Sequence, residues 1–207
     1  MEYGLQIDSS LELDKGRMHT DYITVVSGLP RSGTSMLMKM LQAGGLVPIV
    51  DGIRSADEDN PGGYYEFEKV KKMAEDISWL ASAQGKVIKV ISQLLADLPS
   101  HYRYKVLLIH REMAEVLASQ QIMLKRRGQL TDAVDDAEIG AIFQRHIKQI
   151  RSWLAAQDHF EVLDVQYADI LSNPHRESLR IAAYLGEGFD AEVMAGVVDS
   201  KLYRQRK

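Results

Sequence analysis

Apolar residues along the chain fall into short unbroken runs that alternate with longer stretches repeating every three or four positions. Ile23-Thr-Val-Val-Ser27 is a β-branched run that reads as a strand. Thr34 to Ala43 follows as a helix, with Met36, Leu37, Met40 and Leu41 on one side and Gly44-Gly45 to end it. Val87 to Ile91, Lys105 to Ile109 and Phe160 to Val165 read as further strands. Unbroken apolar runs of this kind suit parallel strands buried on both faces. Phe67 to Ala83 and Met113 to Arg127 read as helices, the second with Gly128 as its stop. Glu138 to Ala156 places Ile139, Ile142, Phe143, Ile147, Ile150 and Leu154 on one helical stripe. Pro174 to Leu185 has proline near its start and Gly186 just past its end, the usual helix punctuation. The alternation predicts an α/β fold, a parallel sheet of four to five strands with helices on both faces.

Met1 to Asp21 is polar and weakly patterned and reads as a loose arm or one short helix. With 207 residues, 45% of them hydrophobic, the chain suits one domain over 1–207 with one sizeable core. The balance of 25 Lys+Arg against 29 Asp+Glu gives a net charge of −4, which argues against general nucleic-acid binding. Any anion site must therefore be built locally, from backbone dipoles and a few placed cations. The absence of cysteine excludes disulfides, thiolate catalysis and Cys-based zinc sites. No metal-ligand spacing stands out among the six histidines. No run reaches signal-peptide or membrane-span length, so the expected address is the cytoplasm, without a membrane span.

The sharpest local signal is Gly28-Leu29-Pro30-Arg31-Ser32-Gly33-Thr34-Ser35, between the first strand and the first helix. Glycines let a backbone approach an anion closely, and the N–H groups and dipole of the following helix favour negative charge there. A nucleoside-triphosphate loop reads GxxxxGK[ST]. Here the glycine spacing matches, but Thr34 stands in the lysine position and the cation, Arg31, lies earlier in the loop. The PRSGTS stretch resembles the 5′-phosphosulfate loop of sulfotransferases that use 3′-phosphoadenosine 5′-phosphosulfate (PAPS). Arg111 at the end of the third strand, followed eight residues later by Ser119, is similar to the same family's 3′-phosphate motif. A guanidinium fork and a hydroxyl suit a phosphate dianion. Tyr167 and Asp169, Pro174 and Ile181-Ala-Ala-Tyr-Leu-Gly186 resemble a third family segment, in which the tyrosine lies against the adenine.

The resemblance, spanning roughly Ile23 to Lys207, implies a single P-loop-like domain that moves a sulfuryl group from PAPS to a hydroxyl or amine of a small-molecule or glycan acceptor, without a metal. It implies that Arg31, Ser32, Gly33, Thr34 and Ser35 hold the 5′-phosphosulfate, and that Arg111, Ser119 and Tyr167 hold the rest of the nucleotide. Lys89, a charge among apolar strand neighbours, occupies the position of a lysine that contacts the transferring group in the family's cytosolic members. Their catalytic histidine, two residues later, is Ile91 here. Asp57 to Glu66 resembles the acidic loop of bacterial and Golgi-type members, in which a glutamate is the base. Glu66, after two aromatics expected to give it apolar surroundings, is the candidate; Glu58 and Glu68 compete. Lys125-Arg126-Arg127 reads as a solvated helix end or a guide for an acidic acceptor, and His110 as a packing residue. The glycine-rich loop that closes over the 3′-phosphate in cytosolic members has no match here; the tail reads as a frayed basic terminus, with Arg204 or Arg206 as the alternative substitute. Two rivals remain. One is a nucleotide kinase, for which Asp164 is the strand-end acid in a plausible place; the other is a non-catalytic nucleotide-binding protein of the same fold.

Overall fold

In the computed structural model, the described residues are 21–54, 56, 57, 60, 63–129 and 135–199. Four parallel strands pair in the order β2-β1-β3-β4: β1 Ile23–Gly28, β2 Val87–Lys89, β3 Tyr104–His110 and β4 Phe160–Gln166. Every residue of β1 is buried, because it lies mid-sheet and both its faces are covered. The α-helices are α1 Thr34–Ala43, α2 Met113–Arg126, α3 Asp136–Ala155, α4 Tyr167–Ser172, α5 Pro174–Leu185 and α6 Ala191–Gly196.

Side chains of a strand alternate between faces, and the core divides accordingly. Val26, Leu107 and Ile109 pack with Leu37 and Leu41 of α1, Ile181 and Leu185 of α5 and Met194 of α6. Val25, Val106 and Leu108 pack with Leu154 of α3 and with Val70, Trp79, Leu80 and Leu95 from short 3-10 helices. The sandwich of helices about a parallel sheet is thus the architecture that the unbroken apolar runs predict.

One predicted helix is absent. Phe67 to Ala83 forms two 3-10 turns, Glu68–Lys72 and Ser78–Ala83. Asp76 breaks the run: its carboxylate accepts from the Ser78 N–H at 2.8 Å, and its carbonyl accepts from the Trp79 indole at 3.2 Å. Such local side-chain bonding competes with the helix ladder. The two pieces fold toward each other through an edge contact of Phe67 with Trp79, 5.0 Å between ring centroids. β2 is also shorter than Val87 to Ile91, because after Val90 donates to Val26 the chain turns at Ile91 into a 3-10 helix, Ser92–Asp97. In α1 it is Met38 that is fully buried and Met36 only partly so.

The strand order matters for function. β1 leads outward to β2, and the chain then crosses back to β3 on the other side of β1. Crevices form beyond the strand ends where the order reverses in this way, and ligands bind there in open α/β sheets. The Gly28 turn leaves β1 and Arg111 leaves β3 at that reversal.

Leu108→Ala tests the packing. Leu108 is fully buried on a central strand, so its truncation is expected to cost about 2–5 kcal/mol in urea unfolding; a loss below about 1 kcal/mol would contradict its central place.

Candidate functional site

The loop after β1 is held by its own bonds. Ser32 donates from Oγ to the Leu29 carbonyl at 2.7 Å and is almost fully buried. Its hydroxyl therefore closes the loop and turns away from the cleft. Gly33 has φ of 106°, and a Cβ there would come within 2.5 Å of the Tyr167 ring, so glycine is required on both counts. Arg31 has φ of 71°, an uncommon conformation for a residue with a side chain.

Arg31 and Ser119, far apart in sequence, meet: Arg31 Nε donates to Ser119 Oγ at 2.9 Å. Arg111 joins the same knot. Its Nη1 donates to the Arg31 carbonyl at 3.2 Å, its Nε donates to Glu115 at 2.9 Å, and its guanidinium lies 4.4 Å from the centre of the Tyr167 ring. Tyr167, buried beneath Arg111 and Gly33, supports both motifs at once.

These groups line a cleft of about 480 Å³ at the strand ends, together with Thr34, Ser35, Glu66 and Lys89. Eight cations line it (Arg31, Lys39, Arg54, Lys71, Lys89, Arg111, Arg126 and Arg127) against two carboxylates, Glu66 and Asp199. A chain of net charge −4 has thus gathered a local positive field.

Lys89, at the end of β2, reaches the loop region. Its Nζ donates to the Tyr64 carbonyl and lies 3.4 Å from Ser35 Oγ. Burial pushes its ammonium down to about 8, against the pull of Glu66 and with the help of Arg54, Arg31 and Lys71. Asn60 donates to Ser35 Oγ at 2.8 Å and to the Gly63 carbonyl at 2.6 Å, which fastens the acidic loop to the start of α1. The Tyr64 hydroxyl donates to both Asp57 oxygens, at 2.7 and 2.8 Å.

Glu66 faces the cleft, but its surroundings are cationic and not the apolar ones expected. Arg54 Nη1 lies 2.8 Å and Lys71 Nζ 3.6 Å from its oxygens. Arg54 also covers the Tyr64 ring, 3.3 Å from its centre. Arg54 carried no motif and was missed; its signal is a lone arginine just before the acidic loop. Glu68 turns outward to Lys71 at 2.9 Å, and Glu58, Arg204 and Arg206 lie outside the described residues. Asp164 is held by His110 and Arg151, each at 2.8 Å, away from this cleft.

The model of the sulfotransferase domain family matches residues 21–205. The chain belongs to that family. The sulfotransferase resembles the sulfotransferase domain from the curacin biosynthetic pathway at 13% identity, with a TM-score of 0.51, covering 90% of this chain and 92% of that one. That likeness shows the shared fold. A crystal structure of retinol dehydratase in complex with androsterone and inactive cofactor PAP also aligns, at 16% identity and a TM-score of 0.46, covering 91% of this chain and 67% of the other. No curated protein matches the sulfotransferase. Among its described residues, no helix is long and apolar enough to cross a membrane, and no three His, Asp or Glu side chains gather as a metal site.

Lys89 carries a pH signature. Its pKa falls from 10.5 to about 8 on folding, so below pH 8 the buried charge opposes folding in full. As pH rises from about 8 to 10.5 the unfolded chain holds the extra proton and that penalty disappears. Lys89→Met should therefore gain stability relative to the parent at pH 7, with a ceiling of about 3 kcal/mol. The gain should shrink toward pH 10. Denaturant unfolding at both pH values checks it, and a difference that does not vary with pH would contradict a depressed Lys89.

Proposed function

We propose that the domain transfers the sulfuryl group of PAPS to the hydroxyl of a small acceptor with an apolar body. The observation that carries the reading is the meeting of two motifs in one cleft, with Arg31 bonded to Ser119 and Arg111 bonded to the Arg31 carbonyl. PAPS brings a sulfuryl group already activated on an anionic phosphate leaving group. The residues present fit such a molecule, since a glycine loop, a helix start and a surplus of cations converge where it must lie.

Thr34, Ser35 and the first N–H groups of α1 cradle the 5′ end, with Arg31 and Lys89 beside the oxygen on which negative charge grows. Ser32 contributes by closing the loop. Arg111 and Ser119 take the 3′-phosphate. These donors rest on protein acceptors: Arg31 on Ser119, and Lys89 on the Tyr64 carbonyl. Their orientation is thus fixed in advance, which is how positioning and electrostatics lower a barrier of this kind.

The other half of the cleft is walled by Phe67, Val70, Ile91, Leu94, Ile122 and Met123. Its cations, Arg54 and Lys71, are already matched by Glu66 and Glu68. An apolar, neutral wall of this sort favours a hydrocarbon-bodied alcohol or phenol over a glycan. Glu66 is the base in this reading, held toward the cleft by Arg54; Lys71, at 3.6 Å and half exposed, is the partner that an incoming hydroxyl displaces. A kinase reading fares worse, because Thr34 replaces the loop lysine and the Asp164 carboxylate is engaged by His110 and Arg151.

With PAPS and a panel of alcohols, phenols and sugars, sulfated products are expected from the apolar hydroxyl compounds, and magnesium with ATP should yield no phosphoryl transfer. Products from sugars alone would overturn the acceptor assignment, and magnesium-dependent phosphorylation would overturn the donor.

Glu66→Gln should lower kcat by about 10²–10⁴-fold, leaving affinity for the desulfated product, 3′-phosphoadenosine 5′-phosphate (PAP), nearly unchanged. Full turnover in Glu66→Gln would sink its role as base.

A further inference from the structure

We infer that Asn60 is a positioning residue of the donor site: its side-chain amide fixes the Ser35 hydroxyl so that the hydroxyl proton is presented to the 5′ end of PAPS. The inference rests on the reading above, in which Ser35 cradles that end, and concerns what makes Ser35 a donor there. Asn60 and Ser35 both line the cleft, beside Thr34 and Lys89.

The partners decide which way each proton points. One atom of the Asn60 amide lies 2.6 Å from the Gly63 carbonyl and 2.8 Å from Ser35 Oγ. A carbonyl only accepts, so that atom is the nitrogen, and its two hydrogens divide between Gly63 and Ser35. Ser35 Oγ is therefore an acceptor toward Asn60. Lys89 Nζ, which can only donate, lies 3.4 Å from the same oxygen. A hydroxyl has two lone pairs and one proton, and with an amide and an ammonium on its lone-pair side the proton must point elsewhere. Among the described residues its acceptor is the Tyr64 carbonyl at 3.4 Å. A well-made O–H···O bond spans roughly 2.5–3.0 Å, so this proton is directed but loosely held. An anionic oxygen captures such a proton readily, and the bond accepted from Asn60 polarises the O–H further.

Asn60 is itself held from both sides. Its N–H donates to the Asp57 carbonyl at 3.1 Å and to Asp57 Oδ1 at 3.0 Å, and its carbonyl accepts from the Gly63 N–H at 3.0 Å. The turn thus fixes the amide, and the amide fixes the hydroxyl. A turn alone does not call for this side chain, because aspartate serves turns as well as asparagine does. Only the amide can donate to Ser35 and Gly63 together, whereas a carboxylate would accept the Ser35 proton and turn it away from the donor.

A double-mutant cycle on PAP affinity, read by calorimetry at fixed ionic strength, tests this. Asn60→Ala should weaken PAP by about 3- to 30-fold, and Ser35→Ala by at least as much. In the Ser35→Ala background Asn60→Ala should cost less than about twofold, because the group it positions is gone. Adenosine 3′-phosphate, which lacks the 5′-phosphate, should bind each variant within about twofold of the parent, which also shows that the variants are folded. Asn60→Ser, a turn former whose side chain is a bond shorter, carries the same cycle if Asn60→Ala does not fold. An equal loss in both backgrounds, a loss shared by adenosine 3′-phosphate, or no loss in Asn60→Ala while Ser35→Ala weakens PAP overturns the inference and leaves the donor site standing. If Ser35→Ala leaves PAP affinity unchanged, or the parent binds PAP no tighter than adenosine 3′-phosphate, the reading of the 5′ site itself fails.

Discussion

The Arg111 guanidinium is the group on which the rest of the site hangs. It leaves β3 where the strand order reverses, and its side chain is only 8% exposed. A buried guanidinium is tolerable only when its donors are matched, and here the matching groups are the site's own parts. Nη1 binds the carbonyl of Arg31 in the phosphate loop, Nε binds Glu115 in the first turns of α2, and the flat face lies over Tyr167 from the start of α4. Three elements that meet nowhere in the sequence are thereby set against one another. The left-handed conformation of Arg31 follows from the same knot: its carbonyl points to Arg111 while its side chain crosses the cleft to Ser119. Strain of order 1–3 kcal/mol at such a residue persists only where its surroundings over-determine it.

That knot also accounts for how a chain of net charge −4 holds a strongly anionic donor. Eight of the 25 Lys and Arg side chains line one cleft, and two of those eight rest on neutral acceptors. Lys89 bonds to the Tyr64 carbonyl and lies near Ser35 Oγ, while Arg31 bonds to Ser119 Oγ. Acceptors of this kind give up their donors more readily to a phosphate than carboxylates would, because the charge-assisted bond is the stronger. Glu66 is different, since two cations already hold it. The proposed use of Glu66 as the base accordingly requires one of those pairs to open.

Much of this was legible in the residues. Unbroken β-branched runs announced the parallel sheet, and the shift of the cation from the Thr34 position to Arg31 separated this loop from a nucleoside-triphosphate loop. Arg111 and Ser119 stood out through their resemblance to a family motif, and both line the cleft. Other features depend on tertiary contacts. Asp76 broke the helix expected from Phe67 to Ala83 by bonding locally to Ser78, and the Phe67–Trp79 ring contact fixed the two pieces. The surroundings of Glu66 were misjudged because Tyr64 and Tyr65, adjacent in sequence, point elsewhere, to Asp57 and to Gln42. Arg54, with no motif around it, gained meaning only from its place over Tyr64 and against Glu66.

The most direct measurement is a crystal structure of the protein with PAP bound. The account predicts the 5′-phosphate in the loop from Leu29 to Ser35 and the 3′-phosphate against Arg111 and Ser119, with the Arg31–Ser119 bond broken in favour of phosphate oxygens. Density for PAP outside this cleft, or a 3′-phosphate directed to solvent with the Arg31–Ser119 bond intact, would contradict it.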